Sequence, residues 1–159
     1  MKRRFTQEAG IPRRGAILGA TLAVCALLSL VVRRSEADNG PEFRVIVHPD
    51  NPSTSLTRDF LVDAFLKRVS HWSDGETIRP VDQRQSAFVR RRFSESVLQR
   101  SVAAVKSYWQ QRIFSGRELP PPELDSDDAV VAYVLKHRGA VGYVSGGAKL
   151  DRAKSVQVQ

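Results

Sequence analysis

Cysteine is almost absent from this chain, which has one in 159 residues, at Cys25. Everything downstream of it is without a disulfide, a thiolate nucleophile or a cysteine-based metal site, so stability has to come from packing. Histidine is scarce as well. His48, His71 and His137 fall in different predicted elements, and there is no H-E-x-x-H helix and no G-x-S-x-G elbow. "YVSGGA" at 143–148 is too short for a phosphate loop and lacks its lysine, so it reads as a hairpin or strand-end turn. Zinc-finger spacing and the aromatic signature of RNA-binding sheets are missing too. With these gaps an enzyme, a metal and a cofactor are not expected.

The excess of positive charge is uneven. The chain carries 25 Lys and Arg against 17 Asp and Glu, but residues 1–37 hold seven of the former and two of the latter. The remainder has 18 against 15, a balance of +3, too little for a nucleic-acid-binding field. Those first 37 residues read as an export leader. Lys2, Arg3, Arg4, Arg13 and Arg14 precede the uncharged run Gly15 to Val32, and Ser35-Glu36-Ala37 offers a signal-peptidase site. The run is 18 residues long, at the lower edge of a spanning helix, so an uncleaved inner-membrane anchor is the second reading. In either case the basic flank sends the rest of the chain across the membrane, to the periplasm. Arg13-Arg14 supply the pair of a twin-arginine signal, but the residues around them match it poorly. Apolar residues continue past Cys25, which argues against lipidation there.

Residues 38–159 suffice for one domain with one core. "FRVIVHP" at 43–49, dense in β-branched residues and ended by proline, predicts a buried strand. A helix follows, with Thr57 as N-cap, Leu56 and Leu61 as a staple, Leu61, Ala64, Phe65 and Val69 on its apolar face, and Lys67 and Arg68 in its last turn. "TIRPV" predicts a short strand at an edge because of Pro80. Ser86 is placed to cap a helix running to Leu98, in which Val89, Phe93 and Val97 recur at spacing four. The next helix, 101–114, is expected to bury Val102, Val105, Trp109 and Ile113. "DSDDAVVAYVLKHRG" has an acidic start, a basic end and Gly139 as terminator. "AVGYV" and "SVQVQ" supply two more strands. The order β-α-β-α-α-α-β-β predicts an α/β domain, a small mixed sheet flanked by helices.

Two segments could hold an anion. Ser53, Thr54 and Ser55 stand between the first strand and a helix N-terminus, where backbone N–H groups and the helix dipole favour negative charge. The plain alternative is turn chemistry. Arg84 and Ser86, in "DQRQSAF", also lie between a strand and a helix, with a guanidinium fork and a hydroxyl to offer. If the strands before them run parallel, both segments emerge at one end of the sheet and form one cup. Arg90, Arg91 and Arg92, about 100° apart around a helix, read as a solvated face.

Taken together, "VIVHPDNPSTSLTRDFLVDAFLKRVSHWSDGETIRPVD", "RRFSESVL", "YWQQRIFSGRELPPPEL" and "GAVGYVSGGA" resemble the short phosphate ABC transporter substrate-binding-like proteins of the type 2 periplasmic binding protein superfamily. The resemblance runs from about Phe43 to Ala148. It implies a single lobe of such a protein and an exported solute-binding-like function related to phosphate transport. Phosphate or a similar oxyanion would be held at helix N-termini, with an ABC transporter permease or another envelope protein as partner. In the full-length family an arginine and a Ser-Gly-Thr contact the anion; here Arg84 and Ser86 stand at that place without the Gly and Thr. The alternative function is a lobe that lost its ligand and acts as an envelope protein-interaction module. Cleavage after Ala37 predicts an intact mass beginning at Asp38 for the exported protein; a mass retaining the apolar run would show an anchor instead.

Overall fold

The computed structural model describes residues 42–116 and 118–159; the leader expected at 1–37 lies outside the described residues. Among the described residues no helix is long and apolar enough to cross a membrane. Phe43–Val47 (β1) alternates across the sheet, with Val45 and Val47 entering one core and Ile46 the other. A strand apolar on both faces belongs in the middle of a covered sheet. There it is found, hydrogen-bonded antiparallel to Ala140–Ser145 (β6) on one side and Lys154–Val158 (β7) on the other.

Ser55–Leu56 (β2) adds parallel to β7, and Arg79–Pro80 (β3) adds parallel to β6, so the mixed sheet reads β2-β7-β1-β6-β3. Both edge strands are two residues long, and Pro80 sits on one of them as its missing donor requires. Asp82–Gln83 (β4) continues beyond β3 and pairs parallel with Glu123–Leu124 (β5). The turn after "AVGYV" is a strand-end turn and not a hairpin, because β1 separates β6 from β7.

Arg58–Phe65 (α1) is capped as expected by Thr57, whose Oγ1 accepts from the Phe60 N–H at 3.2 Å, and Leu56 and Leu61 are both buried. Lys67 and Arg68 fall past its end, and Lys67 takes a left-handed conformation. The next helix differs from its predicted form. Phe88–Phe93 (α2) starts one residue later than Ser86 would dictate; Ala87 is its N-cap and no side chain caps it. It then widens into a π-helical turn, Ser94–Leu98, which Gln99 ends in a left-handed conformation. Val89, Phe93 and Val97 are buried nonetheless.

Val102–Phe114 (α3), capped by Ser101, buries Val105 and Trp109. Ile113, expected in the core, is 47% exposed and Phe114 is 90% exposed, because the last turn of α3 runs past the edge of the packed layer. Asp127–Lys136 (α4), capped by Ser126, covers the opposite face of the sheet with Val130, Val131 and Val134.

Two glycines set close approaches. A Cβ on Gly139 would sit 1.9 Å from the Thr77 carbonyl oxygen, so this residue serves packing and is not a left-handed helix terminator. The neighbouring Trp72 Nε1–H donates to the Gly139 carbonyl at 2.9 Å. A Cβ on Gly142 would lie 2.8 Å from both Val130 Cγ1 and Val81 Cγ1, between α4 and the sheet. Gly142→Ala should therefore destabilise by about 1–3 kcal/mol through overpacking. Gly147→Ala, with open space around it, should leave the urea midpoint unchanged; equal midpoints for both variants would show that α4 can move away from the sheet.

Candidate functional site

The two anticipated anion segments occupy opposite edges of the sheet. Ser55 lies in β2 and Thr54 gives its carbonyl to the Gln157 N–H at 3.1 Å, so this stretch acts as an edge strand. The Ser53 N–H donates to Asn51 Oδ1 at 2.9 Å, an Asx turn. The hydroxyl that meets the helix is Thr57, two residues beyond the cluster. Arg84 and Ser86 follow β3 and β4 at the other edge. β2 and β3 are four strand spacings apart, roughly 19 Å at ~4.8 Å per step. The shared cup required the strands before the two segments to run parallel, but β3 is parallel to β6 and β1 is antiparallel to it. Ser53, Thr54 and Ser55 are therefore not brought together with Arg84 and Ser86.

What the fold does build is a buried polar centre behind Arg84. Arg90, expected on a solvated face, is 3% exposed and forms an ion pair with Asp82 of β4. Arg91 alone of the three arginines is fully exposed; Arg92 is half-buried and pairs with Glu42. The Tyr143 hydroxyl of β6 donates to Asp82 Oδ1, and the Gln83 N–H reaches the same oxygen at 2.9 Å. The Gln83 side chain donates to the Tyr143 carbonyl at 3.1 Å and to Asp127 Oδ1 at 2.8 Å, and Asp127 also accepts the Ser145 N–H at 3.1 Å. β4, α2, β6 and the first turn of α4 are thus tied at one point. The ring of Tyr143 stacks on Phe93 with centroids 3.9 Å apart and 6° between planes.

Burial pushes the Asp82 carboxyl up to about 6, against the pull of Arg90 and the Tyr143 and Gln83 donors. The Tyr143 phenol is likewise raised, first by burial and then by the Asp82 carboxylate, and stays protonated. The centre was not visible in the sequence, although Arg90, Ser94 and Val97 share one helical stripe and all three are buried.

Over this centre, residues 84–87 form a tight turn closed by the Ala87 N–H on the Arg84 carbonyl at 3.0 Å. Arg84, Gln85 and Ser86 are exposed on it. The Gln85 side chain donates to Glu123 at 3.3 Å, fixing the turn to β5. α2 begins directly after the turn, with no side-chain cap on its first-turn N–H groups, whereas Thr57, Ser101 and Ser126 cap the other three helices. Among the described residues no cluster of three or more His, Cys, Asp or Glu is placed to hold a metal ion.

No protein-family model and no curated protein matches the sequence. Solved structures do. The chain superposes with TM-score 0.57 and 21% identity on an ABC-type phosphate transport receptor from Vibrio cholerae, over 74% of this chain and 46% of that one. The fold is that of one periplasmic-binding-protein lobe. PstS from Borrelia burgdorferi gives TM-score 0.57 at 11% identity, covering 74% of this chain and 47% of that one. A phosphate ABC transporter substrate-binding protein from Clostridium perfringens, solved with bound phosphate, gives 0.54 at 20% identity, with 74% and 44% covered. The chain therefore spans less than half the length of each of these proteins.

In this lobe the Asp82–Arg90 pair sets a pH-dependent stability. An acid whose folded pKa lies above its unfolded 3.8 binds its proton more tightly when folded, so its contribution falls as pH rises from about 4 through 6. Arg90→Met leaves Asp82 without its cation. Its cost should be about 3–5 kcal/mol at pH 8, where the orphaned carboxylate is charged. At pH 5, where Asp82 takes up a proton, the cost should shrink. Urea denaturation at the two pH values checks this, and a cost independent of pH would show that the carboxylate is not buried with its charge.

Proposed function

We propose that this chain is an exported solute-binding-like protein that holds phosphate or a similar oxyanion at the turn 84–88, with Arg84 and Ser86 as its contacts. The observation that carries the reading is local. An exposed arginine and an exposed hydroxyl stand on a turn whose following helix has no side chain on its first-turn amides. Phosphate accepts several hydrogen bonds and is matched by a guanidinium fork. The base of the turn is fixed by Gln83 and Arg90, so little ordering remains to be done on binding. The lobe fold shared with phosphate receptors supports the same ligand class, and with it a periplasmic location and an ABC transporter permease as partner. The segment 53–55 has no part in this site.

A second reading is favoured by a different observation. Ile113 and Phe114 at the end of α3 and Leu119 beyond it are exposed apolar side chains, and Ile113 and Leu119 line one surface depression, as expected of an envelope protein-interaction module.

Titration calorimetry of the exported protein with inorganic phosphate separates the two. Arg84→Ala should weaken phosphate binding by about 1.5–3 kcal/mol, the worth of a hydrogen bond to a charged group, and Ser86→Ala should weaken it less. Equal affinity of wild type and Arg84→Ala, or no heat from either at millimolar phosphate, would remove the oxyanion site and leave the interaction module.

A further inference from the structure

Between α3 and the proline-rich approach to β5 lies a cavity of about 200 Å³ whose lining includes Gln85 but neither Arg84 nor Ser86. Its walls are Val102, Trp109 and Ile113 from α3 and Pro120 and Pro121 from the facing segment. Trp109 is 6% exposed and Pro121 is buried, so the inner part of these walls is held by the core, while Ile113 lies at the rim. Prolines add rigidity, since their φ is already fixed. The volume is below the roughly 300–1,000 Å³ usual for drug-sized ligands, which points to a molecule of amino-acid size.

The charges around the cavity decide the class of ligand. Asp82 and Arg90 line it, but they neutralise one another and are buried as a pair. Two further charges of opposite sign line it from different elements, Lys106 on α3 and Glu123 on β5. Among the described residues neither makes an ion pair, and Glu123 accepts only the long bond from Gln85. A ligand with one net charge would meet a like charge on one of the two walls; a zwitterion meets an opposite charge on each. We infer that this cavity binds a small zwitterion with an apolar body, an α-amino acid with an aliphatic or aromatic side chain, its carboxylate toward Lys106, its ammonium toward Glu123 and its side chain against Trp109 and the prolines. The inference does not depend on the oxyanion site.

The test is calorimetry of the full chain with L-leucine and L-phenylalanine, beside the single-charge analogues 3-phenylpropionate and phenethylamine. One of the amino acids should bind, and the corresponding analogues should bind about tenfold or more weakly, the equivalent of one lost charge-assisted contact. Lys106→Glu, at an exposed position, should abolish binding with the urea midpoint retained. The exchange variant Lys106→Glu/Glu123→Lys should bind the D-enantiomer in place of the L, because exchanging carboxylate and ammonium with the side chain held against Trp109 inverts the handedness. The inference is overturned by equal binding of wild type and Lys106→Glu, by analogues that bind as well as the amino acids, by an exchange variant that binds neither enantiomer while folded, or by no heat from either L-amino acid with the wild type at millimolar concentration.

Discussion

The Asp82–Arg90 pair is the constraint on which the rest of this lobe depends. A guanidinium taken into a core costs several kcal/mol unless its partner comes with it, and here the partner is on another element. Once Arg90 is inside, β4 has to lie where Asp82 can meet it, and β6 has to bring the Tyr143 hydroxyl to the same carboxylate. The ring of Tyr143 then stacks on Phe93, one turn after Arg90, so the ion pair is roofed by the aromatic contacts that form the main core. Polar and apolar requirements thereby select the same placement of α2. Such agreement between levels is what gives a sequence one fold and not several.

Sheet order explains why two similar-looking segments have different fates. β1 is inserted between β6 and β7, antiparallel to both, so the chain leaves it at one end, runs back along β7 as β2 and enters α1 at the other. The backbone at 53–55 is engaged on the way, as an Asx turn and an edge strand. Residues 84–86 leave the sheet at the opposite edge, where no strand pairs with them beyond the Leu124 carbonyl on the Arg84 N–H. Composition marked both places as possible anion contacts, and the second carries an exposed arginine within the turn itself, directly before a helix that no side chain caps.

Much of this was legible locally. The strands at 43–47 and 140–144, the cap at Thr57 and the burial of Val89, Phe93, Val97 and Trp109 follow from periodicity and short-range hydrogen bonding, which a sequence carries on its face. The α/β architecture was legible for the same reason, whereas the likeness to one lobe of a phosphate receptor came from the resemblance of the segments between Phe43 and Ala148 to that family. Arg90 was not, because three consecutive arginines look alike until a carboxylate eight residues upstream, on another element, selects one of them. Strand direction was hidden too, since a short edge strand carries no mark of its partner. Ile113 has the helical phase of a core residue, and only the length of α3 relative to its neighbours leaves it outside.

The start of α2 joins these strands of reasoning. A helix beginning at Ala87 forgoes a side-chain cap whose loss costs about 0.5–2 kcal/mol elsewhere. Ser86, one residue earlier, has the chemistry of a cap but is taken into the preceding turn, which the Ala87 N–H closes on Arg84. The first turn survives this because its third residue is Arg90, anchored from within by Asp82, so that a tertiary ion pair replaces the local cap as the element that fixes the helix end. A cap satisfies first-turn amides with the protein's own oxygen. Anchoring the turn through Arg90 leaves those amides without a side-chain cap beside the exposed Arg84 and Ser86, which is the arrangement the proposed oxyanion site rests on.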